Sequence, residues 1–274
     1  MMKKRVGLSM SERDLKTIDN RKVINFLGIR LNNMTATEIL DHVDYCIKRK
    51  TPVQIVGINV DQALRVIEDK YSHQIFDDAE IVFTDGKPIV WMAKRLNRPI
   101  IEKVSGPDLM LLLCERAAKK GYKVFLLGAG PGVAAKAAEN LERDYPGLKC
   151  VGTYSPPFGF EKDPEEKKKI VAMLKDSGAD QLFVGMGSPK QDIFIYENMQ
   201  EYRIPVSYSM GAALDFIGGS VKRAPKWMSD HGLEWLHRFT QNPKRLFKRY
   251  FVDDMKIFKY YRRFKRGEKA AGRL

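Results

Sequence analysis

Between Val23 and Ser220, short apolar runs alternate with longer stretches in which apolar residues return at helical spacing. The runs VINFLGI (23–29), VQIVGI (53–58), EIVFT (80–84), KVFLLG (123–128), KCVGTY (149–154), QLFVGM (181–186) and PVSYSM (205–210) have the length and composition of strands. Between them, ATEILDHVDYCIKRK, GPDLMLLLCERAAKKG and GVAAKAAENLERDY each carry one apolar face with a 3.6-residue period. Strands alternating with helices of this length predict an α/β domain with a mainly parallel sheet flanked by helices. Residues 1–22 are polar and read as an N-terminal arm; 23–220 read as the core.

After Ser220 the texture changes. APKWMSDHGLEWLHRFTQ and NPKRLFKRYFVDDMKIFKYYRRFKR read as two helices, with Pro243 near the start of the second. Phe247, Tyr250, Phe251, Phe258 and Tyr261 recur at helical spacing with Lys and Arg between them. Such a stripe either lies in a lipid headgroup layer or packs against the domain, and pattern alone leaves both open.

Charge sharpens this division. Of 48 Lys and Arg, 16 fall between Val221 and Leu274, against 5 of the 34 Asp and Glu. That segment therefore holds +11 of the net +14, and the rest of the chain is nearly neutral. A basic, aromatic appendage over 221–274 points to an anionic surface, either phospholipid or nucleic acid. No run approaches the roughly 18 apolar residues of a membrane span. The N-terminal residues have no apolar core of the signal-peptide kind. Cys46, Cys114 and Cys150 match no zinc or disulfide framework, so the expectation is a reducing, cytoplasmic setting.

Four strand ends carry candidate chemistry. FLLGAGPGVAAKAAENL places Gly128, Gly130 and Gly132 between a strand and a helix, where backbone can approach a phosphate and a helix N-terminus can face it. About twenty residues on, a dinucleotide site needs an acid for the ribose; here stand Lys149, Cys150, Val151 and Gly152. A nicotinamide enzyme is disfavoured, and a nucleotide diphosphate remains. VGMGSPKQDIFI brings Gly185, Gly187, Lys190 and Gln191 to a second strand end, although Ser188 and Pro189 also suit a plain helix start. Asn59 ends a third strand. Thr84-Asp85-Gly86 ends a fourth, where Asp85 either caps the helix near Lys87 or works in a cleft. His42, His73, His231 and His237 show no ligand spacing, no Asp-x-Asp motif is present to hold a metal on a diphosphate, and no Gly-x-Ser-x-Gly elbow appears.

Taken in order, TDGKPIVWMAKRLNRP, EKVSGPDL, LLGAGPGVA, YPGL, GMGSPKQD and GAALDFIGGSVKRAPKWMSDHGLEWLHRFTQNPKRLFKRY resemble the WecG/TagA/CpsF family, glycosyltransferase family 26, from about Asn25 to Tyr250. The resemblance implies a Rossmann-like core and transfer of a sugar from a UDP donor to a polyprenyl-diphosphate-linked sugar in surface-polymer assembly. It implies an inverting, metal-independent reaction without a cofactor, and it leaves the sugar open among N-acetylmannosamine, its uronic acid, glucose and glucuronic acid. On this resemblance Asp85 matches the proposed general base. Asn59 and Gln191 match cleft positions, and Arg223 matches a basic motif that reaches towards the diphosphate. Two positions depart from the family pattern: Gly57 stands where Thr is frequent, and Lys103 where Arg is frequent, which keeps the charge but loses the bidentate fork. The appendage would dock the enzyme peripherally on the inner face of the membrane and cover the site. A homo-oligomer is left open. The alternative from a different class is a nucleic-acid-binding protein that uses the basic segment; the neutral body with four polar strand ends favours the enzyme, with no nucleic acid among its partners.

Overall fold

The structure, a computed structural model, describes residues 22–274 apart from 226, 229 and 230. The expected N-terminal arm, but for Lys22, lies outside the described residues. The run 23–29 is not a single strand. Val23–Phe26 (β1) and Ile29–Asn32 (β2) pair antiparallel. Leu27 and Gly28 turn between them with φ of 55° and 90°, and the Gly28 N–H donates to Asn25 Oδ1 at 2.9 Å. A two-residue turn with both φ positive matches the twist of its strands. Leucine pays roughly 1–2 kcal/mol for that backbone, which burial of its side chain beside Phe26 offsets.

The other six strand expectations hold. Val53–Ile58 (β3), Ile81–Thr84 (β4), Lys123–Gly128 (β5), Lys149–Tyr154 (β6), Gln181–Gly185 (β7) and Val206–Ser209 (β8) form one sheet. Every pair is parallel, in the order β4-β3-β8-β7-β5-β6. Side chains alternate across it. Ile55, Ile81, Phe83, Leu126, Phe183 and Tyr208 face α1 (Ala36–Arg49), α5 (Gly106–Lys120) and α6 (Val133–Asp144). Val56, Ile58 and Val82 face α2 (Val60–Glu68), α3 (Lys70–Asp78) and α4 (Lys87–Lys94). Leu127, Leu182 and Val184 face α7 (Pro164–Asp176) and α8 (Lys190–Tyr202). This is the α/β, Rossmann-like architecture that the sequence predicts. The chain builds β3 and β4 outward on one side, then crosses to build β5 and β6 on the other, so the strands' C-terminal ends open a crevice at mid-sheet.

Helices α2 and α3 fill a stretch that the pattern reading left unassigned. Asp69 ends the first and caps the second, its Oδ2 accepting from the Ser72 N–H at 2.7 Å.

Helix α9 (Ala213–Ile217) precedes Ser220, and beyond Ser220 the described residues form α10 (Glu234–Gln241), α11 (Pro243–Lys248) and α12 (Ile257–Ala270). The long second helix expected here is broken by a π turn at Arg249–Asp253 and a 3₁₀ turn at Asp254–Lys256. The break re-aims the aromatic stripe, because one straight helix could not serve two surfaces. Phe251 meets Trp235, Phe239 and Phe247, with ring centroids 6.2, 5.5 and 5.2 Å away. Ile257, Tyr260, Tyr261 and Phe264 instead pack on the α2–α4 side of the core. The second half of the stripe therefore packs against the domain, while the first half gathers around Phe251.

Candidate active site

A cavity of about 650 Å³ opens at the C-terminal ends of the strands, a size suited to a small-molecule ligand. Asp85 lies on its floor, immediately after β4. Its backbone N–H donates to Ile58 O at 2.9 Å, and Val104 N–H donates to Thr84 O at 3.0 Å, so the loop before α5 is laced to the strand end. The Asp85 side chain does not cap α4, whose cap is Gly86 with no side-chain hydrogen bond. Instead Gly106, the first residue of α5, donates its N–H to Asp85 Oδ2 at 3.3 Å. A helix N-terminus favours the carboxylate, yet the opposite effect wins. Burial against the cavity floor, then the Glu234 carboxylate, push the Asp85 carboxyl up from 3.8 to about 6, against Lys103, the Gly106 N–H and Arg238. The group stays partly open to the cavity. An acid poised near neutrality and facing a void can accept a proton from a bound hydroxyl.

Opposite it lie the glycine turns. Gly128 and Gly185 are register partners at the ends of β5 and β7. A Cβ on Gly128 would sit 2.5 Å from the Gly185 carbonyl oxygen, so this approach needs glycine. Ser155 Oγ reaches the carbonyls of Gly128 and Gly130 at 3.0 Å each. The first N–H of α6, on Val133, donates to the Gly130 carbonyl as well, at 3.0 Å, so the turn is held closed by its own chain. Gly132, the N-cap of α6 with φ 76°, stands outside the cavity wall.

Gln191 is buried, and its Oε1 accepts from the Gly187 N–H and the Gly211 N–H, both at 3.1 Å. It staples the β7 and β8 turns together while also lining the cavity. Ser188 is not a helix cap; its hydroxyl donates to Asp192 Oδ2 at 2.6 Å. Asn59 caps α2 by accepting from the Gln62 N–H at 3.2 Å, and its side chain stands at the cavity wall. Lys190 meets Glu161 Oε1 at 2.6 Å and lies 5.0 Å from the centre of the fully exposed Phe158 ring, at the cavity lip.

The structure thus brings Asn59, Asp85, Gly128, Gly130, Gly185, Gly187, Lys190 and Gln191 to one cavity. Thr84, Gly86, Lys103, Gly132 and Arg223 do not line it. Lys103 acts on Asp85 through charge alone. Arg223 spends its guanidinium on Asp108, at 2.6 and 2.7 Å. The sequence reading missed the end of β8, where Ser209, Met210 and Gly211 line the cavity, although the glycine after that apolar run was a readable signal. It also missed Glu234, Arg238 and Arg249, which the appendage contributes to the wall. Arg238 lies 5.8 Å from the Phe216 ring centre, and Arg249 reaches Asp61 at 3.7 Å. Gly57 has its own reason: a Cβ there would meet the Phe83 ring at 2.7 Å, beside Asp85.

A family model described as glycosyl transferase WecG/TagA/CpsF matches residues 24–270. Among similar proteins is an N-acetylglucosaminyldiphosphoundecaprenol N-acetyl-beta-D-mannosaminyltransferase of Bacillus spizizenii strain W23, 30% identical over 191 residues, which span 70% of this chain and 72% of the relative. A protein of the same name from Bacillus subtilis strain 168 is 28% identical over 214 residues, spanning 78% of this chain and 81% of the relative.

Proposed function

This chain belongs to the WecG/TagA/CpsF glycosyl transferase family, and from that membership we propose that it moves N-acetylmannosamine from UDP to an N-acetylglucosamine carried on a polyprenyl diphosphate. The observation that carries the reading is Asp85. Its carboxyl, with a proton affinity near 6, faces a cavity whose far wall is the pair of glycine turns.

The acceptor hydroxyl gives its proton to Asp85 as its oxygen bonds to the anomeric carbon. The bond from that carbon to UDP breaks on the opposite face, inverting the configuration. General-base assistance of this kind supplies about 10²–10⁴-fold in rate. The departing diphosphate is met without a metal, by the backbone of the Gly128–Gly130 turn and by Lys190, Arg238 and Arg249 at the wall. Two of these cations already hold carboxylates, Lys190 with Glu161 and Arg249 with Asp61. A diphosphate would compete with those carboxylates for the same guanidinium and ammonium groups.

The appendage explains how a chain with no described helix long and apolar enough to cross a membrane would meet a lipid-linked acceptor. Phe247, Phe251, Val252, Met255 and Phe258 are exposed among basic residues. Lysines and arginines near an anionic leaflet contribute about 1 kcal/mol each, and the apolar side chains add interfacial burial. On this reading the enzyme works at the inner face of the membrane. Incubating the chain with a panel of UDP-sugars and a short-chain prenyl-diphosphate N-acetylglucosamine tests the reading. An N-acetylmannosaminyl product with inverted anomeric linkage by NMR supports it; no product from any UDP-sugar overturns it.

A further inference from the structure

Away from the cavity, α1 and β4 bring together three side chains that the spacing of histidines and cysteines along the chain does not connect. His42 and Cys46 sit one turn apart on the same face of α1. Glu80 immediately precedes β4 and is anchored there by its N–H, which donates to Gln54 O at 2.8 Å. His42 Nε2 lies 2.7 Å from Glu80 Oε1, Cys46 Sγ lies 3.9 Å from the same oxygen, and all three ligand atoms fall within 4.8 Å of one another. Around a tetrahedral zinc ion, neighbouring nitrogen, sulfur and oxygen donors stand roughly 3.3–3.8 Å apart, which small side-chain adjustments reach from these positions.

We propose that His42, Cys46 and Glu80 form a binding site for a zinc-like divalent cation, with a water in the fourth position. One imidazole nitrogen, one sulfur and one carboxylate oxygen are a donor set that suits zinc and disfavours magnesium or calcium, which take oxygen ligands. Cys46 is fully buried, but the side chains of His42 and Glu80 are 9% and 22% exposed, which leaves an entry on the carboxylate side. On binding, the sulfur–hydrogen bond is exchanged for a sulfur–metal bond and the proton leaves to solvent, with no change of oxidation state. Arg30 and Arg49, whose charges act on Glu80, set the opposing electrostatic cost.

The role is structural. Glu80 and Asp85 flank opposite ends of β4, about 16 Å apart at roughly 3.3 Å per residue, so the ion would tie α1 to the strand that carries Asp85 without touching the cavity. The site is independent of the proposed transfer chemistry, and its failure would leave that reading standing.

The test uses full-length protein stripped with a chelator and dialysed against zinc, with metal counted per chain, and cobalt(II) as a spectroscopic probe. The expected results are one zinc per chain and, with cobalt, a sulfur-to-metal charge-transfer absorption. His42→Ala and Cys46→Ala should each weaken binding by about tenfold or more. Wild-type protein that retains no zinc, a cobalt complex without the sulfur band, or Cys46→Ala binding zinc as wild type does would each overturn the proposal. Should a variant fail to fold, the cobalt spectrum of the wild-type chain decides alone.

Discussion

Arg223 grips Asp108 with both terminal guanidinium nitrogens, at 2.6 and 2.7 Å, and so ties the start of the appendage to the first turn of α5, the helix whose first N–H reaches Asp85. The same contact holds the Asp108 carboxyl below the usual carboxylate range. Arg223 therefore acts here as a latch. Arg223→Ala and Asp108→Ala should lower kcat/KM on a lipid-linked acceptor by similar factors, about tenfold, and the double variant should lose little more. A large loss in Arg223→Ala beside wild-type kinetics in Asp108→Ala would instead give the arginine to the substrate.

Gln191 carries the two turns that shape the cavity. In Gln191→Leu, the N–H groups of Gly187 and Gly211 lose their shared acceptor, at a cost of about 1–3 kcal/mol for buried donors left unpaired. Glu at this position retains an acceptor oxygen and should recover part of the loss. Chemical denaturation of the two variants checks the order: wild type, then Gln191→Glu, then Gln191→Leu.

The shift of Asp85 has a sign that stability measurements can read. Its carboxyl is raised from 3.8 to about 6 in the fold, so the folded chain holds that proton more tightly than the unfolded chain. Stability from this group is complete below about pH 4 and falls as pH rises to about 6. At pH 7 the ionised carboxylate costs the fold ~1–3 kcal/mol. Asp85→Asn keeps an acceptor for the Gly106 N–H and should melt a few degrees higher than wild type at pH 7, with the gap closing at pH 3. Burial raises Asp254 to about 6 as well, so the difference between wild type and variant, rather than the wild-type curve, isolates Asp85. An Asp85→Asn variant that melts lower at pH 7 would refute the shift.

The exposed rings of Phe247, Phe251 and Phe258 are predicted to enter a lipid surface. Even at ~1 kcal/mol each, they amount to on the order of 100-fold in partitioning. Replacing all three by Ser should abolish flotation with anionic liposomes, and salt should weaken the wild-type interaction. Unchanged flotation of the triple variant would remove the docking role, and tight, salt-sensitive DNA binding without lipid binding would favour the nucleic-acid alternative.

Much of this was legible in the sequence because its local signals agree with the fold. Short apolar runs set between stretches of 3.6-residue period placed six strands, and glycines at strand ends marked the turns of the cavity. What stayed hidden depended on contacts between distant residues. The hairpin at Leu27-Gly28 puts an apolar side chain where turn chemistry expects a polar one, so burial decided against local preference. The stapling role of Gln191 stayed hidden because nothing local shows that two loop N–H groups converge on it. Arg223 looked available because its partner, Asp108, is 115 positions away. Glu234, Arg238 and Arg249 stayed hidden because only the fold of the appendage back over the strand ends brings them to the cavity wall.

The proposed transfer turns on Asp85 as the group that takes the acceptor's proton. The direct measurement is the rate of transfer from UDP-N-acetylmannosamine to a soluble prenyl-diphosphate N-acetylglucosamine by Asp85→Asn, with UDP affinity measured by calorimetry on the same preparation. If Asp85 is the base, the variant keeps wild-type UDP affinity with transfer reduced about 10²–10⁴-fold, and the wild-type rate rises with pH through about 6. Transfer by Asp85→Asn at the wild-type rate, with the fold and UDP binding intact, would contradict it.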